Sequence, residues 1–423
     1  MSEPLLRRRE LTDVSGTRRD PVEPEALAVA RPIVEDVRRR GETALREHAE
    51  RLGDVARGGP LFLEPADLHR ALEALAPDDR SRLERVAERI RAFAMAQRGT
   101  FAPLSVAVPG GRAGHDLVPL DAAGCYAPGG RHPLPSSVLM TAVVARAAGV
   151  RSVWIASPRP ASITLAAAAV AGADGLLAAG GAQAIAALAF GAGVLPPSDA
   201  VVGPGNRYVT AAKLVVAGHV RIDMLAGPSE LVILADAGSD PITIAADLLA
   251  QAEHDTDAMP LLVSLDEGLV DRVEAEMARQ MEDLPTADVA RAALRHGGAI
   301  VVSSLDEALA ACDAIAPEHL EILVERPAAV AARVRHAGAL FIGHGAGEVL
   351  GDYGAGPNHV LPTGGTARFT AGLSVATFLR QRTWLRIDDP EAARELAEDS
   401  AWLARLEGLE AHARSAERRR PVA

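Results

Sequence analysis

The chain is poor in cysteine and aromatic residues, carries no excess of positive charge, and has no long uninterrupted apolar run. Two cysteines in 423 residues, Cys125 and Cys312, cannot make a disulfide framework. That fits a reducing compartment, and the cytoplasm is the expected location. Aromatics at 3% leave the core to Ala, Val, Leu and Ile, which suffice because 48% of residues are hydrophobic. A net charge of −12 argues against binding a phosphate backbone, so nucleic acid is not an expected partner. The arginine runs Arg7–Arg9 and Arg418–Arg420 read as solvated ends. The first thirty residues hold no apolar segment of signal-peptide type. The most apolar region, Leu165 to Leu195, is broken by Asp174, Gln183 and several glycines, so no membrane span is expected. GxGxxG, HExxH and CxxC are all missing, so no general nucleotide or zinc signature identifies the chain.

What is present is alternation. Residues up to about Pro21 are polar and read as a loose arm. Helical spacing follows over Glu25 to Arg51 and over Asp67 to Gln97. From Pro119 to Asp236 short apolar runs alternate with alanine-rich helical runs: VWIASP, LAAAAVAGA, GLLAAGG, AQAIAALAFG, RYVTAAKLVVAG, LVILAD. The alternation resumes in PLLVSLD, AIVVSSLD, LEILVE and ALFIG. Parallel sheets covered by helices have this signature. We therefore expect an α/β protein with two Rossmann-like βα domains. From about Ser374 the chain reads as helical, charged and without a core of its own, so this tail must dock on something.

Several polar clusters interrupt this pattern. Gln251 and His254 in LLAQAEHDTDA continue the stripe of Leu248, which puts an amide and an imidazole where core is due. Glu318-His319 opens a strand in APEHLEI, either as an acid–base pair or as a strand-edge charge pair. Asp352 and His359 lie in GDYGAGPNHVLPT, and His412 in EGLEAHARS. Imidazole, carboxylate and amide together can bind zinc, although spacing alone does not prove it. GPGNRY (203–208) and GHGAGE (343–348) lack the full phosphate-loop pattern and read first as turns. CYAPGGRHPLPSS leads into a helix that Ser136 or Ser137 should cap.

Taken together, YAPGGRHPLPSSVLMTA, GGAQAIAALAFG, GPGNRYVTAAK, IDMLAGPSELVILAD, DLLAQAEHDTDA, APEHLEI, GDYGAGPNHVLPTGGTARF, GLSV and EGLEAHARS resemble the histidinol dehydrogenase family in content and order. The resemblance implies oxidation of L-histidinol to L-histidine through bound L-histidinal, by two hydride transfers to NAD. It implies one zinc per subunit on Gln251, His254, Asp352 and His412. It makes Glu318 and His319 the acid–base pair. It places Ser229, Gln251, His254, His319, Asp352, Glu407 and His412 against substrate, and Tyr126, Gln183 and Asn206 against NAD. It also implies a homodimer whose helical tail crosses to the partner subunit and completes its site. On this basis we expect an arm over 1–22 and a discontinuous α/β domain over 23–118 and 230–373 that holds zinc and substrate. A Rossmann-like domain over 119–229 is expected on the NAD side, followed by a swapped tail over 374–423. The related alternative is a zinc- and NAD-dependent dehydrogenase of another small polar alcohol. The stretch His344-Gly345-Ala346 departs from the family's usual pattern, and no function is read for it.

Overall fold

Strands buried on both faces take mostly apolar residues on both sides, which is why the central strands read as near-continuous apolar runs. A computed structural model describes residues 4–14, 20–129 and 133–420. Its six-stranded sheet runs in the order 62–63, 175–177, 152–156, 122–126, 200–202, 221–222, and only the two-residue edge strand Phe62–Leu63 is antiparallel. Its five-stranded sheet is wholly parallel, in the order 298–301, 259–264, 230–235, 319–323, 339–342. In the central strands Glu230–Ala235, Met259–Ser264 and His319–Leu323 every residue is buried. The α/β expectation with parallel sheets holds. Among the described residues no helix is long and apolar enough to cross a membrane.

The expected division of the chain needs correction. Residues 23–118 do not pack on the five-stranded sheet with 230–373, although helix Pro77–Thr100 meets the 351–355 turn, where Arg89 donates to the Gly354 carbonyl. Pro24–Arg40 and Glu42–Arg51 pack against Gly181–Phe190 and Arg207–Val216 on one face of the six-stranded sheet. Pro65–Glu73 and Pro77–Thr100 pack against Ser162–Val170 and Pro135–Ala148 on the other face. Val360 and Leu373 also enter that second core, and Asn358 donates to the Met140 carbonyl at 2.7 Å. An amphipathic helix announces that it will be covered, but its stripe does not name the sheet that covers it.

The arm is not loose where it is described. Leu6 is fully buried in the core of the five-stranded sheet. The Arg9 N–H donates to the Ala299 carbonyl at 2.8 Å, and Arg8 pairs with Glu267 at 2.7 Å and Asp271 at 2.6 Å. Residues 15–19 of the expected arm lie outside the described residues.

The tail is not all helix. Leu379–Ile387 is a nine-residue strand, antiparallel to Gly111–Pro119, which pairs in turn with Leu104–Val108. Beyond it, the helices Arg394–Leu406 and Glu410–Glu417 pack on one another. Trp402, Leu403, Leu406 and Leu409 remain exposed, with Trp402 at 63% and Leu406 at 66%.

Candidate active site

The two parallel sheets meet at a cleft of about 200 Å³. The six-stranded sheet presents the carboxyl ends of its strands, where Ala122–Tyr126 and Ala200–Val202 finish and Gly203, Pro204 and Gly205 line the cleft. This is the usual ligand edge of an open α/β sheet. The five-stranded sheet presents the amino ends, since Ser229 precedes Glu230–Ala235 and His319 is the first residue of His319–Leu323. Helix Leu305–Ile315 ends on Ala316 in the left-handed region (φ 52°), and Pro317 follows, so the chain turns sharply just before Glu318 and His319.

Ser229, His254, His319 and Asp352 all line this cleft together with Glu318, so four of the residues expected at the substrate and metal positions come together with the expected acid–base pair. Glu318 Oε2 accepts from the Ser229 hydroxyl at 2.7 Å and from the Glu230 N–H at 3.1 Å. Burial pushes the Glu318 carboxyl above its ordinary value, against the attraction of His319 and these two donors. His319 Nδ1 lies 3.2 Å from the Glu230 carbonyl and 3.7 Å from both Glu318 and Glu348, while Nε2 faces Asp352 Oδ1 at 3.5 Å. Burial disfavours the imidazolium, but Glu318, Glu348 and Asp352 outweigh it and carry the ring up to about 10.

The metal expectation meets the structure partly. Helix Pro241–Ala252 ends one residue after Gln251, so His254 stands in the following turn, exposed, with its N–H 3.4 Å from the Gln251 carbonyl. His254, Glu348 and Asp352 can each aim one ligand atom so that all three lie within 4.8 Å of one another. Gln251 is fully buried, and neither its Oε1 nor its Nε2 has a hydrogen-bond partner. A buried amide left unpaired at both ends is costly. A cation bound by the carbonyl oxygen would relieve half of that cost, so the donor set fits a borderline metal such as zinc.

Glu348 was not among the expected residues. Its signal is legible in GEVLGD, because Glu348 and Asp352 are four apart on a helical turn spanning Glu348–Leu350 and Gly351–Ala355. Burial pushes its carboxyl up to about 8, His319 opposes this, and Asp352 and Glu318 add to it. His359 also lines the cleft, with Nδ1 3.0 Å from the Asp352 carbonyl, and burial holds its ring below the ordinary imidazole range.

Glu407 and His412 do not line the cleft of their own chain. Both are exposed on the tail hairpin. Tyr126, Gln183 and Asn206 lie instead at or just beyond the carboxyl ends of strands of the six-stranded sheet. The Tyr126 hydroxyl accepts from the Gly181 N–H at 3.2 Å. Gln183 donates to Asp54 at 2.9 Å, and its Oε1 is buried without a partner. Asn206 caps helix Arg207–Val216, accepting from the Tyr208 N–H at 3.0 Å and the Val209 N–H at 3.2 Å. Ser136 and Ser137 are not caps: the helix starts at Pro135, and both lie in its first turn against the cleft. Gly130, Arg131 and His132 of that loop lie outside the described residues. GPGNRY turns on Gly203 (φ 116°), where a Cβ would come within 2.0 Å of the Tyr126 carbonyl oxygen. A buried ion pair, Lys213–Asp223, clamps the loop: Lys213 donates to the Gly203 carbonyl at 3.0 Å, and Asp223 accepts from its N–H at 2.7 Å. Cys125 and Cys312 are buried, with thiols pushed up to about 12 by burial, as inert core residues would be.

Comparison with known proteins gives the same direction throughout. The histidinol dehydrogenase family model matches residues 17–420. A histidinol dehydrogenase of Thermus thermophilus is 49% identical over 402 residues, covering 94% of this chain and 95% of that protein. One of Ralstonia nicotianae is 44% identical over 408 residues, covering 94% and 92%. The crystal structure of histidinol dehydrogenase from Elizabethkingia anophelis superposes with a TM-score of 0.91 at 27% identity, covering 99% of each chain. With matches that run almost the whole length in both sequence and fold, this chain belongs to the histidinol dehydrogenase family of oxidoreductases.

Proposed function

We propose that this protein oxidises L-histidinol to L-histidine through bound L-histidinal, with two successive hydride transfers to NAD, in the cytoplasm, as the closing steps of histidine biosynthesis. The observation that carries the reading is the buried Glu318-His319 pair facing Asp352 and His254 across one cleft. His319 takes the hydroxyl proton on its Nε2, which has no hydrogen-bond partner, while Nδ1 stays against the Glu230 carbonyl. Glu318, steadied by Ser229 and the Glu230 N–H, takes a proton from the water that hydrates the aldehyde. His319 gives its proton to the aldehyde oxygen as the water adds, forming the gem-diol, and is thereby free to accept the hydroxyl proton of the second oxidation. Zinc, held by Gln251, His254, Asp352 and the tail's His412, would supply an electrophilic anchor for the substrate's imidazole and amine. Zinc there would also compensate the charge of Asp352 and Glu348 and so lower the His319 ring toward the range in which it can act as a base. Tyr126, Gln183 and Asn206 hold NAD on the facing sheet edge, where the orphan Gln183 Oε1 offers an acceptor to a ligand donor.

The tail supports a homodimer with shared sites. Its two helices pack on each other, expose Trp402, Leu403, Leu406 and Leu409, and leave Glu407 and His412 outside their own cleft. A second copy in a two-fold arrangement covers that face and brings both residues to its partner's site.

The test is a spectrophotometric assay of purified protein with histidinol and NAD, with NADH and histidine both quantified. Two NADH per histidine fits the proposal. One NADH with accumulating aldehyde means an ordinary alcohol dehydrogenase, and turnover only with other polar alcohols means the related enzyme.

A further inference from the structure

Glu321 has no part in the chemistry above, yet it is completely buried. It sits two residues after His319 on strand His319–Leu323 and so projects to the same face of the sheet. Its Oε1 accepts from the backbone N–H of Glu348 at 2.7 Å. Its carboxyl also meets the carboxyl of Asp247, side chain to side chain. Gly347 lies against both: a Cβ there would stand 3.7 Å from Asp247 Oδ1 and 3.8 Å from Glu321 Oε1. Asp247 is one turn before Gln251 on helix Pro241–Ala252, and that helix packs on Glu348–Leu350. A fully buried carboxyl in contact with a second, half-buried one is a poor way to gain stability, since an apolar residue of similar volume would cost less. The arrangement therefore needs another reason, and its contacts supply one. The pair joins three elements at one point: the strand that carries His319, the helix that carries Gln251, and the turn that carries Glu348 and Asp352.

We propose that Asp247 and Glu321 are positioning residues that hold the 347–352 segment, through the Glu348 N–H, in the arrangement that receives the metal. This rests on the metal reading of Gln251, His254 and Asp352. Neither residue need touch metal or substrate. Groups behind a ligand set of this kind typically govern metal affinity by about 10–100-fold.

The experiment compares wild type, Glu321→Leu and Glu321→Gln as full-length protein stripped of metal. Zinc affinity is read by competition with a fluorescent chelator, and the thermal midpoint is read on the stripped protein. Glutamine can accept the Glu348 N–H and donate to Asp247, so Glu321→Gln keeps zinc affinity within about threefold of wild type. Leucine can do neither, so Glu321→Leu weakens zinc by about 10–100-fold. Its stripped form melts no lower than wild type, because an unfavourable buried carboxyl has gone. Zinc affinity of Glu321→Leu within about threefold of wild type overturns the proposal. A leucine variant that fails to fold while the glutamine variant folds overturns it too, since the pair would then be required for the fold itself. If wild type binds no zinc, the metal reading fails rather than this one.

Discussion

Lys213 offers the sharpest test of how the cofactor-side loop is built. Its side chain is 3% exposed and that of Asp223 is 0%. The pair is fully desolvated, and each partner also holds the backbone of Gly203. Lys213→Met removes the cation and leaves the Asp223 carboxylate in the interior with only two backbone donors, Gly203 and Met224. Breaking a buried pair in this way costs about 3–5 kcal/mol, because the remaining charge loses its compensation. The lost hydrogen bond to the Gly203 carbonyl adds about 1 kcal/mol. Against a total of about 5–15 kcal/mol for a typical domain, this is a severe lesion. Lys213→Met/Asp223→Asn should recover about 2 kcal/mol or more, since asparagine still accepts the Gly203 N–H but carries no charge to strand. Urea unfolding followed by circular dichroism measures all three proteins at one concentration, so that assembly contributes equally. A single-variant loss below about 1 kcal/mol, the level of an exposed ion pair, would refute the reasoning.

Other expectations follow from the same geometry. His319→Asn should slow turnover by about 10²–10⁴, read as kcat at saturating substrate. Glu318→Gln should slow oxidation of supplied histidinal more than the first oxidation of histidinol in a single-turnover experiment, and equal slowing would remove its assignment to hydration. Gly203→Ala places a Cβ 2.0 Å from the Tyr126 carbonyl oxygen at φ 116°, so NAD titration should show weakened binding while zinc affinity is kept. His254→Ala and His412→Ala homodimers should each be inactive. Co-refolded in equal amounts they should regain about a quarter of normal activity, because half the dimers are mixed and each has one intact site of two. No recovery, with mixed dimers demonstrated, would mean that each tail serves its own chain.

The parallel sheets were legible because their physics leaves a plain trace. A run such as Leu231–Ala235 is apolar throughout because it has no solvent face. Leu379–Ile387 left no such trace: it is an edge strand with arginines at 380, 382 and 386, and most of it is exposed. A charged, exposed strand next to two helices is easily read as more helix. The grouping of the first hundred residues failed for a different reason. Val34, Val37, Ile90 and Ala94 show that their helices have a buried face, but which sheet supplies the cover is set by topology far along the chain. At the site, Glu318, His319 and Asp352 could be read from local motifs because those residue types are chemically unusual beside apolar strands. Asp54 could not, because it gains its meaning only from Gln183, 129 positions along the chain.

The docking of Leu6, Arg8 and Arg9 has a consequence for how the molecule comes into being. These residues are synthesised long before the surface they dock on, because Arg9 hydrogen-bonds to Gly297, 288 positions later. At about 5–20 residues per second, their docking surface emerges roughly 15–60 s after they do. Until then a leucine destined for full burial lacks its cover, free to meet chaperones or proteases, because the strands that shield it begin only at Glu230. A segment synthesised early is thus among the last to reach its place, and the five-stranded sheet closes around residues made long before it.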